Sequence, residues 1–167
     1  MKKTKMLWQK AFTLMLTLSF MVPAVINAQA GNANFSGNWA LNQSRSTTGG
    51  DQRMGGASPT MTVTQEANRL SVTRATAGRD GASTPTTTNF SLDGKETVNS
   101  SQRGESKTVA VWSSDGKTLT TTTTRNFNGM AMKTVEVWTI DSNTLTIKSE
   151  ATTPQGNRSS TFVYDKR

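Results

Sequence analysis

The sequence contains no histidine and no cysteine. Without histidine, the chain lacks the side chain that most often serves as general base, proton shuttle and metal ligand near neutral pH. Without cysteine, it has no thiol nucleophile, no thiolate metal ligand, no disulfide and no lipidated cysteine of a lipoprotein. Catalysis would depend on carboxylates, lysine, tyrosine or serine alone. We therefore expect a protein that is not an enzyme and that needs no cofactor and no metal ion.

Long hydrophobic runs are also absent, apart from one near the amino terminus. That run covers residues 11–26, follows four lysines and is succeeded by Ala28-Gln29-Ala30, a small-x-small pattern typical of signal-peptide cleavage sites. It is shorter than the roughly 20 apolar residues of a membrane-spanning helix, and Pro23 interrupts it. The sequence thus predicts a signal peptide at residues 1–30 and a mature domain at residues 31–167. We expect that domain to be secreted or periplasmic, with no stable membrane anchor.

Positive charge is in excess but not concentrated. Basic residues outnumber acidic ones by eight, and four of that excess are the lysines of the predicted signal peptide. The other basic residues are scattered singly, with no run or stripe that could follow a phosphate backbone. We expect no nucleic-acid partner. The mature chain has the length of one domain with a single core.

Between residues 60 and 167, apolar residues mostly alternate with threonine, serine, asparagine and charged residues. A period of two is typical of half-buried β-strands, and pairs such as Asp93-Gly94 and Asn128-Gly129 suit tight hairpin turns. No segment favours a helix. The pattern predicts strands near residues 38–43, 60–66, 69–76, 84–92, 95–102, 105–114, 117–127, 130–141, 144–153 and 158–165. Residues 44–59 predict a mobile loop or a lid over a cavity, and residues 77–85 predict a second rim loop.

So many short antiparallel strands do not fit comfortably into one open twisted sheet. The predicted fold is therefore all-β, an antiparallel up-and-down meander β-barrel of about eight to ten strands. A barrel of this size can keep room for one small ligand.

Hairpin register indicates which side chains share a face. A two-residue turn at residues 128–129 places Arg125 and Glu136 on the same face as Trp138. Neighbouring turns extend that face to other large apolar residues, so it is expected to point into the barrel. These residues are Trp112, Leu119, Phe127, Ile140, Leu145, Ile147, Phe162 and Tyr164.

Arg125 and Glu136 enter the interior together with these apolar side chains. Because a buried charge without a partner is costly, we expect them to pair with each other, with nearby hydroxyls, with water or with a ligand carboxylate. An open alternative places Arg125 at the rim, with its head in solvent. A turn at residues 67–68 directs Arg74 inward, or leaves it at a strand end in water. The predicted ligand-binding residues are Arg125, Glu136, Tyr164, Trp138, Trp112 and Arg74.

The opposite face of the same strands carries Val109, Val111, Val135 and Val137. Exposed valines are ordinary strand formers, but they could also mark a dimer or partner surface. We expect a monomer or a weak dimer.

The opening of the predicted domain, Phe35-Ser36-Gly37-Asn38-Trp39-Ala40-Leu41, resembles the calycin group. Its G-x-W part is similar to the lipocalin signature, and the F-x-G-x-W-x-L pattern is similar to the start of fatty-acid-binding proteins. The strand-D-G-K texture at residues 92–95 and 114–117 resembles small exported lipocalin-like proteins of bacteria.

The resemblance implies that Gly37 and Trp39 form the barrel floor, with Lys166 or Arg167 packed across the indole. It also implies a small hydrophobic or amphipathic ligand whose carboxylate is held by an interior arginine and tyrosine, here matched in kind by Arg125 and Tyr164. The sequence departs from the fatty-acid-binding proteins between the first two strands, where a glycine-rich loop replaces a helical pair.

Two functions therefore stay open. The first is binding of a small ligand inside the barrel. The second is an envelope or extracellular interaction module with a filled barrel, binding a protein or an acidic glycan. The many small threonine and serine residues favour the second, and the inward polar residues favour the first.

Overall fold

The computed structural model describes residues 31–48, 57–77, 83–101, 104–127, 129–154 and 156–167. The predicted signal peptide at residues 1–30 lies outside the described residues, as do residues 49–56 and 78–82 of the two predicted loops. Eleven strands occur in the described residues. They are β1 (Gly37–Leu41), β2 (Thr47–Thr48), β3 (Thr60–Glu66), β4 (Arg69–Ala77), β5 (Ser83–Ser91), β6 (Thr97–Ser101), β7 (Gly104–Trp112), β8 (Thr118–Phe127), β9 (Met130–Asp141), β10 (Thr144–Thr153) and β11 (Gly156–Lys166).

The strands form one antiparallel sheet that curls into a nearly closed barrel, which confirms the predicted fold. Its order is β5-β4-β3-β1-β11-β10-β9-β8-β7-β6, with the short β2 beside β11. Strand β1 joins strands β3–β5 to strands β6–β11, because it pairs with β3 on one side and β11 on the other. Of the described strands in this order, only the two end strands, β5 and β6, keep an edge without a neighbouring ladder.

The hairpin registers predicted from the turns are confirmed. Arg125 lies opposite Met132, and Leu119 lies opposite Trp138. On the earlier hairpin, Met61 lies opposite Arg74. Because side chains alternate across a strand, these pairs fix which residues face the interior.

One predicted pairing is wrong. Strands β5 and β6 follow each other in the chain, yet they stand at the two ends of the sheet order without a hydrogen-bonded ladder. Residues 92–96 separate them, so the connection is longer than the two-residue turn that Asp93-Gly94 suggested. We call this interface the β5–β6 seam.

The predicted loop at residues 44–59 also contains structure that the sequence did not indicate. A three-residue 3-10 helix spans Gln43–Arg45, and β2 follows it. The side chain of Asn42 accepts a hydrogen bond from the backbone N–H of Arg45, which caps this single turn. Among the described residues, no helix is long and apolar enough to cross a membrane.

Four turns lie at one end of the barrel, which we call the closed end: residues 67–68, 92–96, 113–117 and 142–143. The amino-terminal residues before β1 seal this end. The ring of Phe35 is fully buried, stacks on Trp112 at 5.6 Å between ring centroids, and meets Trp138 edge-on at 5.9 Å. Gln65 holds the segment by accepting from the Phe35 N–H at 2.9 Å.

Burial decreases along the barrel axis from the closed end to the opposite, open end. Inward side chains near the closed end, such as Leu119 and Leu145, are completely buried, and each contributes about 1.5–3 kcal/mol of stability. Inward side chains farther along the same strands, such as Thr123, Thr134 and Ser149, are only half-buried. The closed half is therefore packed, while solvent reaches the inner wall of the open half.

Candidate functional site

An ion pair crosses the interior where the packed half meets the solvent-accessible half. The guanidinium of Arg74 lies 3.5 Å from Oε2 of Glu136. The same carboxylate oxygen accepts a hydrogen bond of 3.0 Å from Nε1 of Trp138, and the Arg74 guanidinium stands 5.6 Å from the centre of that indole. The Trp138 side chain is fully buried, whereas the Arg74 and Glu136 side chains are 23% and 21% exposed. These two charges thus face accessible space inside the barrel.

Tyr164 belongs to the same cluster. Its side chain is buried, and burial raises the pKa of the phenol because it disfavours the phenolate. The positive charge of Arg74 and a hydrogen bond from the backbone of Ser58 act in the opposite direction, and the nearby Glu136 adds to the increase. The phenol is therefore neutral at physiological pH.

Arg125 faces inward but stands apart from this cluster. Residue 121, not 125, lies opposite Glu136, so Arg125 is four residues farther toward the open end, about 13 Å along β8. The expected pair of Arg125 with Glu136 is therefore not formed, and Glu136 pairs instead with Arg74, a partner that the sequence analysis did not consider for it. The Nε of Arg125 is buried and has no hydrogen-bond partner among the described residues. An unsatisfied buried donor of this kind costs about 1–3 kcal/mol and favours an acceptor supplied from outside the chain.

Hydroxyl groups cover the inner wall around and between these charges. We call this set the hydroxyl belt; its members come from β7 to β11 and are Thr108, Thr121, Thr123, Thr134, Ser149 and Ser160. Thr108 and Thr121 are buried, and the hydroxyls of Thr108 and Thr123 hydrogen-bond at 2.9 Å. The belt makes the inner wall of the open half polar.

The barrel floor, which is the layer of buried residues around Trp39 at the closed end, has the arrangement that the resemblance to the calycin group implied. The indole is fully buried and donates to the carbonyl of Phe35 at 3.0 Å, and the ammonium of Lys166 stands 5.7 Å from its ring centre. Gly37 has a φ of +152°, and a Cβ there would lie 3.1 Å from Cε of Lys166. The glycine thus leaves room for the lysine stem beside the indole.

Trp112 lies in the floor rather than beside the ion pair. It is half-buried against Phe35, and its Nε1 has no hydrogen-bond partner within the part of the chain that the structure describes. Sequence reasoning did not assign the sealing role of Phe35, although this residue opens the F-x-G-x-W-x-L pattern. It also missed Ser58, a buried serine whose hydroxyl is shared between the backbone carbonyls of Thr60 and Ala75.

No cluster of three or more acidic side chains capable of holding a metal ion occurs in the described ranges. The geometry instead offers separated positive charges, one carboxylate and a polar wall. Such an arrangement can bind and orient a ligand by hydrogen bonds and charge.

Known structures with the same architecture were found by comparison of folds. Zebrafish ileal bile acid-binding protein, solved with cholic acid, matches with a TM-score of 0.54 and 18% identity over 80% of this chain and 98% of its own. A REP1-NXSQ fatty acid transporter matches with a TM-score of 0.53 and 13% identity over 79% and 95%. The chain has a calycin fold. A third calycin-like barrel, the SAHS protein from Ramazzottius varieornatus, matches with a TM-score of 0.51 and 11% identity over 80% and 95%.

Comparisons with models of protein families and with curated protein sequences found no match. At these identities the structural likeness establishes the calycin fold alone. The likeness to exported bacterial proteins, which rests on the repeated strand-D-G-K pattern, stays a prediction.

Proposed function

We propose that this calycin is an exported protein that binds a small amphipathic carboxylic acid in the open half of its barrel. One observation supports this more than any other: the inward faces of the described strands carry more positive than negative charge. Arg74, Arg125 and Arg158 point to that side, against the single carboxylate of Glu136. A ligand carboxylate would offset this imbalance.

Arg125 is the residue that we assign to the ligand carboxylate. Arg74 already has Glu136 as its partner, whereas the Nε of Arg125 lacks one. Charge-assisted hydrogen bonds between guanidinium and carboxylate are among the strongest available to a protein. The apolar part of the ligand would pack toward the buried residues of the floor, such as Phe162.

The neighbours with the same fold support a binding role. Two of them are described as a fatty acid transporter and a bile acid-binding protein. The sequence at residues 1–30 supports export. A role without catalysis fits the lack of histidine and cysteine in the whole chain.

The test is displacement of 1-anilinonaphthalene-8-sulfonate, a fluorescent amphipathic anion, from the mature protein and two variants. Arg125→Leu removes the proposed anchor, and Lys133→Leu removes one positive charge from the outward face of the adjacent strand near the same end. We expect Arg125→Leu to weaken binding at least about tenfold, equivalent to about 1.4 kcal/mol, while Lys133→Leu binds like the parent protein. Equal binding by both variants would contradict the assignment.

One observation favours the alternative function, an interaction module. Val98 and Val111 on the outer wall are 51% and 53% exposed. For a module of this kind, Val111→Lys would abolish partner binding, and Arg125→Leu would leave it unchanged or stabilise the barrel. A protein that does not bind the fluorescent anion at all would favour this alternative.

A further inference from the structure

Two rows of inward residues on the wall between β7 and β11 are mostly polar. The first row runs from Thr121 through Glu136 and Ser149 to Ser160, each directly opposite the next on neighbouring strands. The second row contains the Thr108, Thr123 and Thr134 members of the hydroxyl belt. The other inward positions in these rows are mostly small, such as Ala110 and Ala151. A ligand lying on this wall therefore meets hydroxyls and a carboxylate rather than an apolar lining.

Such a wall disfavours a plain alkyl chain. An alkyl chain that ends beside the half-buried Glu136 and Ser149 would remove water from both without replacing the lost hydrogen bonds. Glu136 adds to the preference for a hydroxylated ligand over a plain alkyl chain, because an ionised carboxylate only accepts hydrogen bonds. Its Oε2 takes the indole N–H of Trp138 and faces Arg74, which leaves acceptor sites for a donor on the ligand.

We infer that the ligand is a hydroxylated carboxylic acid, with its carboxylate at Arg125 and a hydroxyl on the half-buried part of the first row, at Glu136, Ser149 and Ser160. This inference rests on the proposed function and names the ligand class for that site. Sites built to hydrogen-bond a substrate hydroxyl discriminate strongly against analogues that lack it, because the buried polar groups are left unpaired.

The distance between the two proposed contacts specifies how long the ligand should be. Arg125 is four positions from Thr121, the residue of β8 that lies opposite Glu136, which corresponds to about 13 Å between Cα atoms along the strand. The side chains of Arg125 and Glu136 both reach into the barrel, so the ligand carboxylate and hydroxyl are expected on the order of 10 Å apart. A ten-carbon chain with a terminal hydroxyl spans such a distance.

Decanoic acid and 10-hydroxydecanoic acid are therefore matched probes, since they share one chain and differ by one hydroxyl. We expect the hydroxy acid to displace the fluorescent anion from the mature protein at about one-tenth of the concentration that decanoic acid requires. The hydrophobic effect alone predicts the opposite order, because a terminal hydroxyl weakens burial of the chain.

Two variants test whether the row causes this preference. Ser149→Ala removes one accessible hydroxyl of the row, and Ser159→Ala makes the same change on the outward face of the neighbouring strand. We expect Ser149→Ala to reduce the tenfold preference to less than about threefold, with decanoic acid binding unchanged, and Ser159→Ala to keep it. Ser160→Ala tests the same row if Ser149→Ala does not fold.

The outcomes separate the inference from the proposed function. Decanoic acid binding as tightly as its hydroxylated partner would overturn the ligand class and leave the carboxylate site intact. A preference that survives both Ser149→Ala and Ser160→Ala would overturn the assignment to this row. If neither acid displaces the anion at millimolar concentration, the proposed function fails, and the inference fails with it.

Discussion

Arg74 and Glu136 meet at 3.5 Å across the interior of the barrel, although their strands β4 and β9 are not neighbours in the sheet. The contact links two walls that backbone hydrogen bonds do not connect directly. Because Trp138 donates to the same carboxylate, the pair is also tied to the packed floor. The ion pair is thus positioned to set the depth to which a ligand can enter.

Replacing Arg74 by methionine should lower the free energy of unfolding by about 1–2 kcal/mol. A fully buried pair would lose more when broken, but each side chain here is about one-fifth exposed, and solvent reduces the effect. Urea denaturation measures the change, with Arg69→Met, an outward arginine on the same strand, as the control. The double variant Arg74→Met/Glu136→Met should recover part of the loss. Equal stability of the Arg74 and Arg69 variants would show that the pair contributes nothing.

Two side chains cross the β5–β6 seam: the Thr97 hydroxyl accepts from the Ser91 N–H at 2.9 Å, and Asn99, which makes two contacts, should contribute more. Oδ1 of Asn99 accepts from the backbone N–H of Asn89, and its Nδ2 donates to the Asn89 carbonyl, both at 2.8 Å, so the amide takes the place of a neighbouring peptide group. Asn99→Ala should cost about 1–2 kcal/mol and increase amide hydrogen exchange in β5. Ser100→Ala, which changes the adjacent exposed residue, should alter neither quantity. Unchanged exchange in the Asn99 variant would mean that the seam is closed by other contacts.

Gly37 and Lys166 should be energetically coupled. Gly37→Ala brings a Cβ within 3.1 Å of Cε of Lys166 and places a side chain at a positive φ, so we expect a loss of about 1–3 kcal/mol. In the double variant Gly37→Ala/Lys166→Ala the steric part disappears while the backbone strain stays. A double-mutant cycle in thermal unfolding therefore gives a non-zero coupling free energy. Strictly additive changes would argue against close packing of the lysine stem beside the glycine.

Tyr164 should make the protein less stable in alkali. Its folded-state pKa is raised above the ordinary value of 10.0, mainly by burial. Below pH 10 the phenol is protonated in both folded and unfolded chains, so its contribution is complete there. Above pH 10 the unfolded chain loses the proton first, and the free energy of unfolding falls as pH rises toward the folded-state pKa.

The control for this effect is Tyr164→Phe, which should show a flatter decline between pH 10 and the folded-state pKa. The lysines titrate in both proteins and cancel in the difference. Because the chain has one tyrosine, phenolate absorbance reports Tyr164 directly. A titration midpoint at the ordinary value in the folded protein would contradict its burial.

The sequence was sufficient for the fold and for the inward direction of the site residues. The turn at residues 128–129 sets the register that puts Arg125 and Glu136 on one face, since hairpin register follows from the turn. The contact of Glu136 with Arg74 could not be predicted this way. It joins residues 62 positions apart on strands that do not pair, so it depends on how the sheet curves.

The sequence also could not predict that side-chain hydrogen bonds replace a backbone ladder at the β5–β6 seam. Asp93-Gly94 indicates a turn, but the seam is held by the Asn99 amide and the Thr97 hydroxyl, whose orientations no turn signal contains. Phe35 is visible in the sequence as an apolar residue before β1. Its sealing role depends on a hydrogen bond to Gln65, 30 residues away, which no local pattern contains.

The central claim is that the open half of the barrel holds a hydroxylated acid. Native mass spectrometry of freshly purified protein, produced by export of the full chain, followed by organic extraction and mass analysis, tests it most directly. We predict a chain beginning at Gly31 with one equivalent of a carboxylic acid that carries at least one hydroxyl. A bare polypeptide mass, together with tryptophan emission that does not change on titration with 10-hydroxydecanoic acid, would contradict the claim.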